Sequence, residues 1–380
     1  MLTYLKKYII IKLGDYMKKI NFIHISDTHI GLNRFGKTNE FGCNCRGEDF
    51  LNSFRGAIED IKKLKPDFIL HSGDLFDSVV VADKYKYEVQ NILQTIECPM
   101  VIILGNHSTP KTTSSISPVM LLSPIKNISI IYGEYKRVKL LGDRVCIHAI
   151  PHIIDPDTFR KTLSAVKLDE KFEFNIAMTH GALPFGAYVC MEEGHMIPQS
   201  FIDRGFDYIA LGDYHITKKI HERCYYPGGT DVFKVSEMGD KNFLEIDLDK
   251  NINVNIHKIK TRPCLKISIN CKDKGIEEIY SLIEKDIENK NIKDNLIFLE
   301  LLDVDSSIKS NLDKTYIKKL FKDCFYIQEK IIINDKSIDK DYEKNDAIGD
   351  IRLEWKEFSS DDEELMKIGQ EYIDFQMEKT

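Results

Sequence analysis

Apolar runs rich in β-forming residues recur along the first half of the chain, and each stops abruptly on a polar residue. Phe22 to Ser26 leads into Asp27-Thr28-His29, and Phe68 to Leu70 into His71-Ser72-Gly73-Asp74. Met100 to Leu104 leads into Gly105-Asn106-His107, Asn175 to Thr179 into His180-Gly181, and Tyr208 to Leu211 into Gly212-Asp213-Tyr214-His215. Unbroken apolar runs of this length predict strands buried on both faces. Between them, Phe50, Leu51, Phe54, Ile58, Ile61 and Leu64 fall close to helical spacing and predict a helix over Glu48–Leu64, stopped by Pro66. Further helices are expected near Asp83–Thr95 and Pro156–Val166. Strands alternating with helices predict a layered α/β fold, whose strand ends converge on one edge of a sheet, where such folds keep their sites.

Short strands are expected at 128–132, 137–141 and 145–150, and short β-runs from Ile216 to His257 close the first domain, 19–258. Thr261-Arg262-Pro263 reads as a linker. An alternating strand (Leu265, Ile267, Ile269), a helix (Ile276, Ile279, Ile283, Ile287), a strand at 296–302, a helix (Tyr316, Ile317, Leu320, Phe321) and a strand at 325–333 then predict a small two-layer α/β domain over 259–335. Residues 336–358 are polar and read as a linker. Ser360-x-x-Glu363 is a capping box, and Leu365, Ile368, Tyr372 and Phe375 repeat at three and four residues behind it. An amphipathic helix so placed docks on a partner or back on its own body. At the other end, residues 1–18 hold only a brief apolar patch, Tyr8 to Ile11, too short for a signal peptide. Met17, directly before the first strand, is the expected natural start.

Composition adds little to the fold and something to the function. At 380 residues, 43% hydrophobic and 30% charged, the chain has ample core for two domains. Its 9 cysteines form no Cys-x-x-Cys pair and suit a reducing, cytoplasmic setting, while Cys43-x-Cys45 alone is a weak zinc signal. No apolar run approaches the roughly 20 residues that span a bilayer. The net charge of −7 belongs to residues 336–380, which carry 14 acidic and 7 basic side chains, so the rest is neutral overall. The acidity therefore neither excludes nor requires a DNA-binding face.

The strand ends carry the chemistry. A single Asp or His after a strand is commonly a cap or a turn residue. Asp27, His29, Asp74, Asn106, His180, Asp213 and His215 together make a mixed oxygen and nitrogen donor set too large for one ion. Asp74 could bridge two. Two ions about 3.5–4 Å apart sharing a carboxylate are the usual apparatus for phosphate-ester hydrolysis.

Asp27-x-His29, Gly73-Asp74-x-x-Asp77, Gly105-Asn106-His107, His180-Gly181 and Gly212-x-x-His215, in this order, resemble the calcineurin-like metallophosphoesterases. Within them, His71-Ser72-Gly73-Asp74-Leu75-Phe76, Arg46-x-x-Asp49-x-x-x-x-Phe54, Asp207 to Gly212 and Tyr226-Pro227-Gly228-Gly229-Thr230 resemble the SbcD / meiotic-recombination-11 double-strand-break repair nucleases. The resemblance implies a four-layer α-β-β-α core, with the smaller domain as a cap that helps position duplex DNA. It assigns Asp27, His29, Asp74 and His215 to one ion, and Asp74, Asn106, His180 and Asp213 to the other. His107 is then the group that touches the scissile phosphate and assists the leaving oxygen. Asp77 stands near the nucleophile side or, alternatively, caps the next helix. The basic residues Arg34 and Arg46 of the loop after the first strand are candidates for contact with nucleic acid. His148 and His152 read mainly as structural.

Two departures qualify the resemblance. Ser108 stands where relatives carry an acidic residue that steadies the histidine, and a hydroxyl supplies no charge to support an imidazolium. Asp213 stands where nuclease relatives place a histidine, and a carboxylate favours hard ions, manganese first and magnesium second. The implied function is a two-metal nuclease acting on DNA ends, dimeric, nucleoid-associated, and partnered by an SbcC-type coiled-coil ATPase through 359–380. The rivals are a phosphatase or small-molecule phosphodiesterase on the same core, and a weakly active DNA-end scaffold.

Overall fold

A computed structural model describes residues 19–183, 195–234 and 237–334. The N-terminal extension 1–18, the loop residues Met191, Glu192 and Glu193, and the acidic linker and terminal helix expected over 336–380 lie outside the described residues.

The first apolar runs form strands β1 (Ile20–Ile25), β2 (Phe68–His71) and β3 (Met100–Ile103), which with β4 (Ile128–Ile131) make a parallel array. β5 (Lys136–Leu140), β6 (Val145–Ile150), β7 (Phe174–His180) and β8 (Tyr208–Gly212) begin a second sheet, completed by β10 (Cys224–Tyr226) and β9 (Lys218–His221) in the order β5-β6-β7-β8-β10-β9. The runs are apolar throughout because both faces are covered. Phe22, Phe68 and Val101 pack against Ile147, Phe174, Ile176 and Tyr208 in the space between the two sheets.

Helices cover the outer faces. Helix α1 (Cys45–Leu64) buries Phe50, Phe54, Ile58 and Ile61, and α2 (Asp83–Leu93) buries Val89 and Leu93, against the first sheet. Helices α3 (Pro156–Ala165) and α4 (Gln199–Ile202) put Phe159, Leu163 and Phe201 on the second. The result is the four-layer α-β-β-α core that the resemblance implies. Helix α1 begins three residues earlier than its apolar spacing predicts, because the Asn44 side chain accepts from the amides of Arg46 and Gly47 and sets the cap there. Helix α2 ends at Leu93, where Thr95 N–H bonds Ile92 O and tightens the last turn.

The β-runs expected from Ile216 to His257 resolve into β9, β10 and a long hairpin, β11 (Lys241–Leu248) and β12 (Ile252–Ile259). It joins the first sheet antiparallel to β1, pairing Ile20 with Leu248 and His24 with Leu244, so this sheet reads β12-β11-β1-β2-β3-β4.

The chain divides into two compact units. The first comprises residues through Lys266 with Ile292–Phe298 and Asp323–Gln328, and the second comprises Ile267–Asn291, Leu299–Lys322 and the described residues from Glu329. Strands β13 (Cys264–Asn270), β14 (Leu296–Val304) and β15 (Tyr326–Ile333) form a three-stranded sheet in that order. Helix α5 (Ile276–Glu288) buries Ile279 and Ile283. The single helix expected around 316–321 is preceded by another: α6 (Ser306–Asn311) and α7 (Lys314–Leu320) are separately capped by Asp305 and Asp313. Among the described residues no helix is long and apolar enough to cross a membrane.

Candidate metal centre

The C-terminal ends of the buried strands of both sheets bring the seven candidate ligands to one place. Donor atoms of Asp27, His29 and His215 lie within 4.8 Å of one another, as do those of Asp27, Asp74 and His180, and those of His29, Asp74 and His107. Asn106 Oδ1 is 3.1 Å from His180 Nε2, and Asp213 Oδ1 is 3.8 Å from the same nitrogen. Asp74 belongs to two of the three clusters, as do Asp27 and His29.

Backbone geometry aims these side chains. Asp27, His29, Asp74 and Asp213 all have positive φ, at 50°, 42°, 52° and 103°. Such left-handed residues cost of order 1–3 kcal/mol each and gather where the surrounding fold imposes them. Amides then hold the carboxylates: His107 N–H donates to Asp74 Oδ1 (3.1 Å), and Asp213 N–H to both oxygens of Asp27 (3.1 and 3.2 Å). Glycine is required where these turns crowd together. A Cβ on Gly73 would collide with the His180 ring, and one on Gly105 with the Asp74 carboxylate.

The donor set fits divalent ions, and hydrogen bonding shows why. His180 Nδ1 donates to Ser72 O at 2.8 Å, which leaves the lone pair of Nε2 facing Asp74 Oδ2 at 3.2 Å and Asn106 Oδ1. His215 Nδ1 donates to Glu237 Oε2 at 2.9 Å, and its Nε2 meets Nε2 of His29 at 3.2 Å. Acceptors cannot face one another at these distances without a proton or a cation between them. Burial alone would lower the His180 pKa, but Asp74, then Asp27 and Asp213, outweigh it and push it up to about 10. Asp213 is pushed up by burial, reinforced by the neighbouring Asp27 and Asp74 carboxylates. The excess negative charge calls for positive charge at this point, which a divalent ion supplies. Asp27, His29, Asp74 and His215 would hold one ion, and Asp74, Asn106 and His180, with Asp213 beside them, the other.

The remaining candidates are distributed differently from expectation. Asp77 caps nothing: the N-cap of α2 is Ala82, with no side-chain bond. Its Oδ1 lies 3.2 Å from His29 Nδ1, and its carbonyl accepts from His107 Nδ1 at 2.9 Å. That carbonyl, not Ser108, steadies His107, since Ser108 Oγ is buried without a hydrogen-bond partner among the described residues. Arg34 does reach the rim, with its guanidinium 4.1 Å from the centre of the Phe233 ring.

Arg46 is corrected outright. It is 0% exposed, its Nη2 donating to Asp231 Oδ1 and Val232 O (both 2.8 Å) and its Nη1 to Asp49 Oδ2 (2.7 Å), so it cannot meet nucleic acid. His148 is structural, bonded to Tyr135 and Asn175. His152, 9% exposed, borders a cavity with Asn106, His180, His195 and Asp213. Sequence reasoning also missed Phe233 and Glu237, which touch the ligand imidazoles but sit in a stretch with neither periodicity nor motif.

Comparison with known proteins agrees with this geometry. Residues 20–217 match the calcineurin-like phosphoesterase family. The chain is 27% identical to the DNA double-strand break repair protein Mre11 of Methanococcus maripaludis, over 86% of this chain and 90% of that protein. It is 27% identical to Mre11 of Methanocaldococcus jannaschii, over 84% of each. It is 25% identical to Mre11 of Methanosarcina mazei, over 77% of this chain but only 47% of that longer protein. The chain belongs to the calcineurin-like phosphoesterase family, as a metal-dependent phosphodiesterase of the Mre11/SbcD type.

Proposed function

We propose that this protein is a two-metal nuclease that processes DNA ends in double-strand-break repair. The observation that carries the reading is the pair of converging acceptor sets, His29 with His215 and His180 with Asn106, joined through Asp74 and Asp27. The relatives named as double-strand break repair proteins supply the substrate class.

Ions bound there supply Lewis-acid polarisation of the phosphate and activation of water at neutral pH. The chain's own residues do the rest. The amides of His107 and Asp213 fix the carboxylates of Asp74 and Asp27 that would hold the ions. Because His107 Nδ1 donates to Asp77 O, its Nε2 is the atom that delivers a proton to the leaving oxygen. Its side chain is 33% exposed, open enough to meet a substrate phosphate. Manganese is the preferred ion, because the site mixes imidazole with carboxylate, and magnesium is the second choice. The proposal extends to a homodimer, to a capping role for residues 259–335 over duplex DNA, and to an SbcC-type ATPase engaged through 359–380 at the nucleoid.

A second reading, a DNA-end scaffold with slow chemistry, draws on Asp213, which is in none of the donor clusters found among the described residues. Degradation of an end-labelled linear duplex with added manganese, native protein against Asp74→Asn, tests both. Cleavage lost in the variant supports the nuclease. Duplex binding without cleavage by the native protein supports the scaffold, and hydrolysis of nucleotides alone supports a small-substrate enzyme.

A further inference from the structure

Residues 231–234 and 237–241 lie beyond the part of the chain that matches the family, 20–217, yet side chains among them touch the metal centre. Their upstream end is anchored. Asp231 takes Arg46 Nη2 on one oxygen and Ser53 Oγ (2.6 Å) on the other, and all of these side chains are buried. That anchor sets Phe233 with its ring 4.4 Å from His29, 4.6 Å from His215 and 5.9 Å from His107, centroid to centroid. Further along, Glu237 Oε2 accepts from His215 Nδ1 at 2.9 Å, and Lys241 Nζ donates to His215 O at 2.8 Å. The carboxylate, the ring and the ammonium thus grip one histidine at its outer nitrogen, its face and its backbone.

We propose that Glu237 is a positioning residue for the metal centre, and that Asp231, Phe233 and Lys241 form a clasp with it around His215. Accepting the Nδ1 proton of His215 forces the tautomer in which Nε2 carries the lone pair, the form that can ligate a cation. Phe233 blocks rotation of the two facing imidazoles. Glu237 is 8% exposed, so the carboxylate acts in a setting where a charge-assisted hydrogen bond is strong. The inference rests on the reading of the cluster as a two-ion centre. It concerns only the ion on the Asp27, His29 and His215 side.

The test is manganese binding to the full chain, by calorimetry and by electron paramagnetic resonance, for the native protein, Glu237→Ala and Glu237→Gln, with circular dichroism confirming the fold in chelator. Native protein should bind two ions. Glu237→Ala should weaken one of them by ~10–100-fold and leave the other unchanged. Glu237→Gln, whose amide oxygen accepts the same proton, should recover most of that loss. Unchanged binding of both ions by Glu237→Ala overturns the inference while leaving the two-ion centre standing. Equal weakening of both ions, with no recovery in the glutamine variant, reduces Glu237 to general structural support and also overturns it. A native protein that binds no manganese removes the metal centre and the clasp together.

Discussion

Arg46 separates two readings of one side chain. A charged residue in a loop near a phosphate-binding site is expected to touch substrate, but the structure encloses it in an ion pair with Asp231, both side chains 0% exposed. Arg46→Met keeps the length and fills the same space, but it leaves Asp231 with only Ser53 Oγ and its neighbour's amide, Val232 N–H. It also removes one of the two guanidinium partners of Asp49, whose other is Arg262 at 2.7 and 2.8 Å. Removing one member of a buried pair costs about 3–5 kcal/mol, because the remaining charge stays desolvated. The two hydrogen bonds left on Asp231 put this case near ~3 kcal/mol. For a cooperative unit of this size, that lowers the unfolding temperature by roughly 6–12 °C. Calorimetry of Arg46→Met, Asp231→Asn and the double variant measures it. The double variant should be less destabilised than the two single losses summed, by about 1–3 kcal/mol, because neither charge is then stranded. An Arg46→Met protein that unfolds within about 2 °C of native and has lost affinity for duplex DNA would refute the buried-strut account and restore the substrate contact.

Other consequences can be checked with the same protein. Manganese at 100 times the dissociation constant of each site should stabilise the native chain by about 2.7 kcal/mol per ion, about 5.4 kcal/mol for two, and should not stabilise Asp74→Asn; equal thermal shifts in both would speak against ligation by Asp74. His24, bonded to Ser72 and Tyr208, is pushed down to about 3 by burial, whereas in the unfolded chain it titrates near 6.5. The unfolded chain therefore binds the extra proton between those values, so its contribution to stability is complete above about pH 6.5 and falls away as pH drops toward about 3. Urea midpoints measured in chelator should decline across that window, and a flat profile would contradict the assignment. Ser108→Ala should leave both stability and the pH profile of phosphodiester cleavage unchanged, since the hydroxyl has no partner to lose; a displaced acidic limb would mean that Ser108, not the carbonyl of Asp77, steadies His107.

The candidate ligands were legible because each follows the end of an apolar strand, seven of them on five strands. An apolar run that stops on Asp, Asn or His places that side chain at a sheet edge whatever the rest of the chain does, and the order of the runs then brings seven of them together. What escaped depends on pairings between distant segments. The place of β11 beside β1 rests on Ile20 meeting Leu248, and neither residue signals the other. Arg46 reads as an exposed loop charge because the carboxylate that buries it is 185 residues away. Glu237 and Phe233 are further removed still, since they hold groups that themselves hold the chemistry. A residue that presents a functional group must match the local backbone, and local pattern betrays it. A residue that steadies another's group has only to be the right size and charge in three dimensions, so Glu237 leaves no trace in sequence spacing until the fold has carried it to His215.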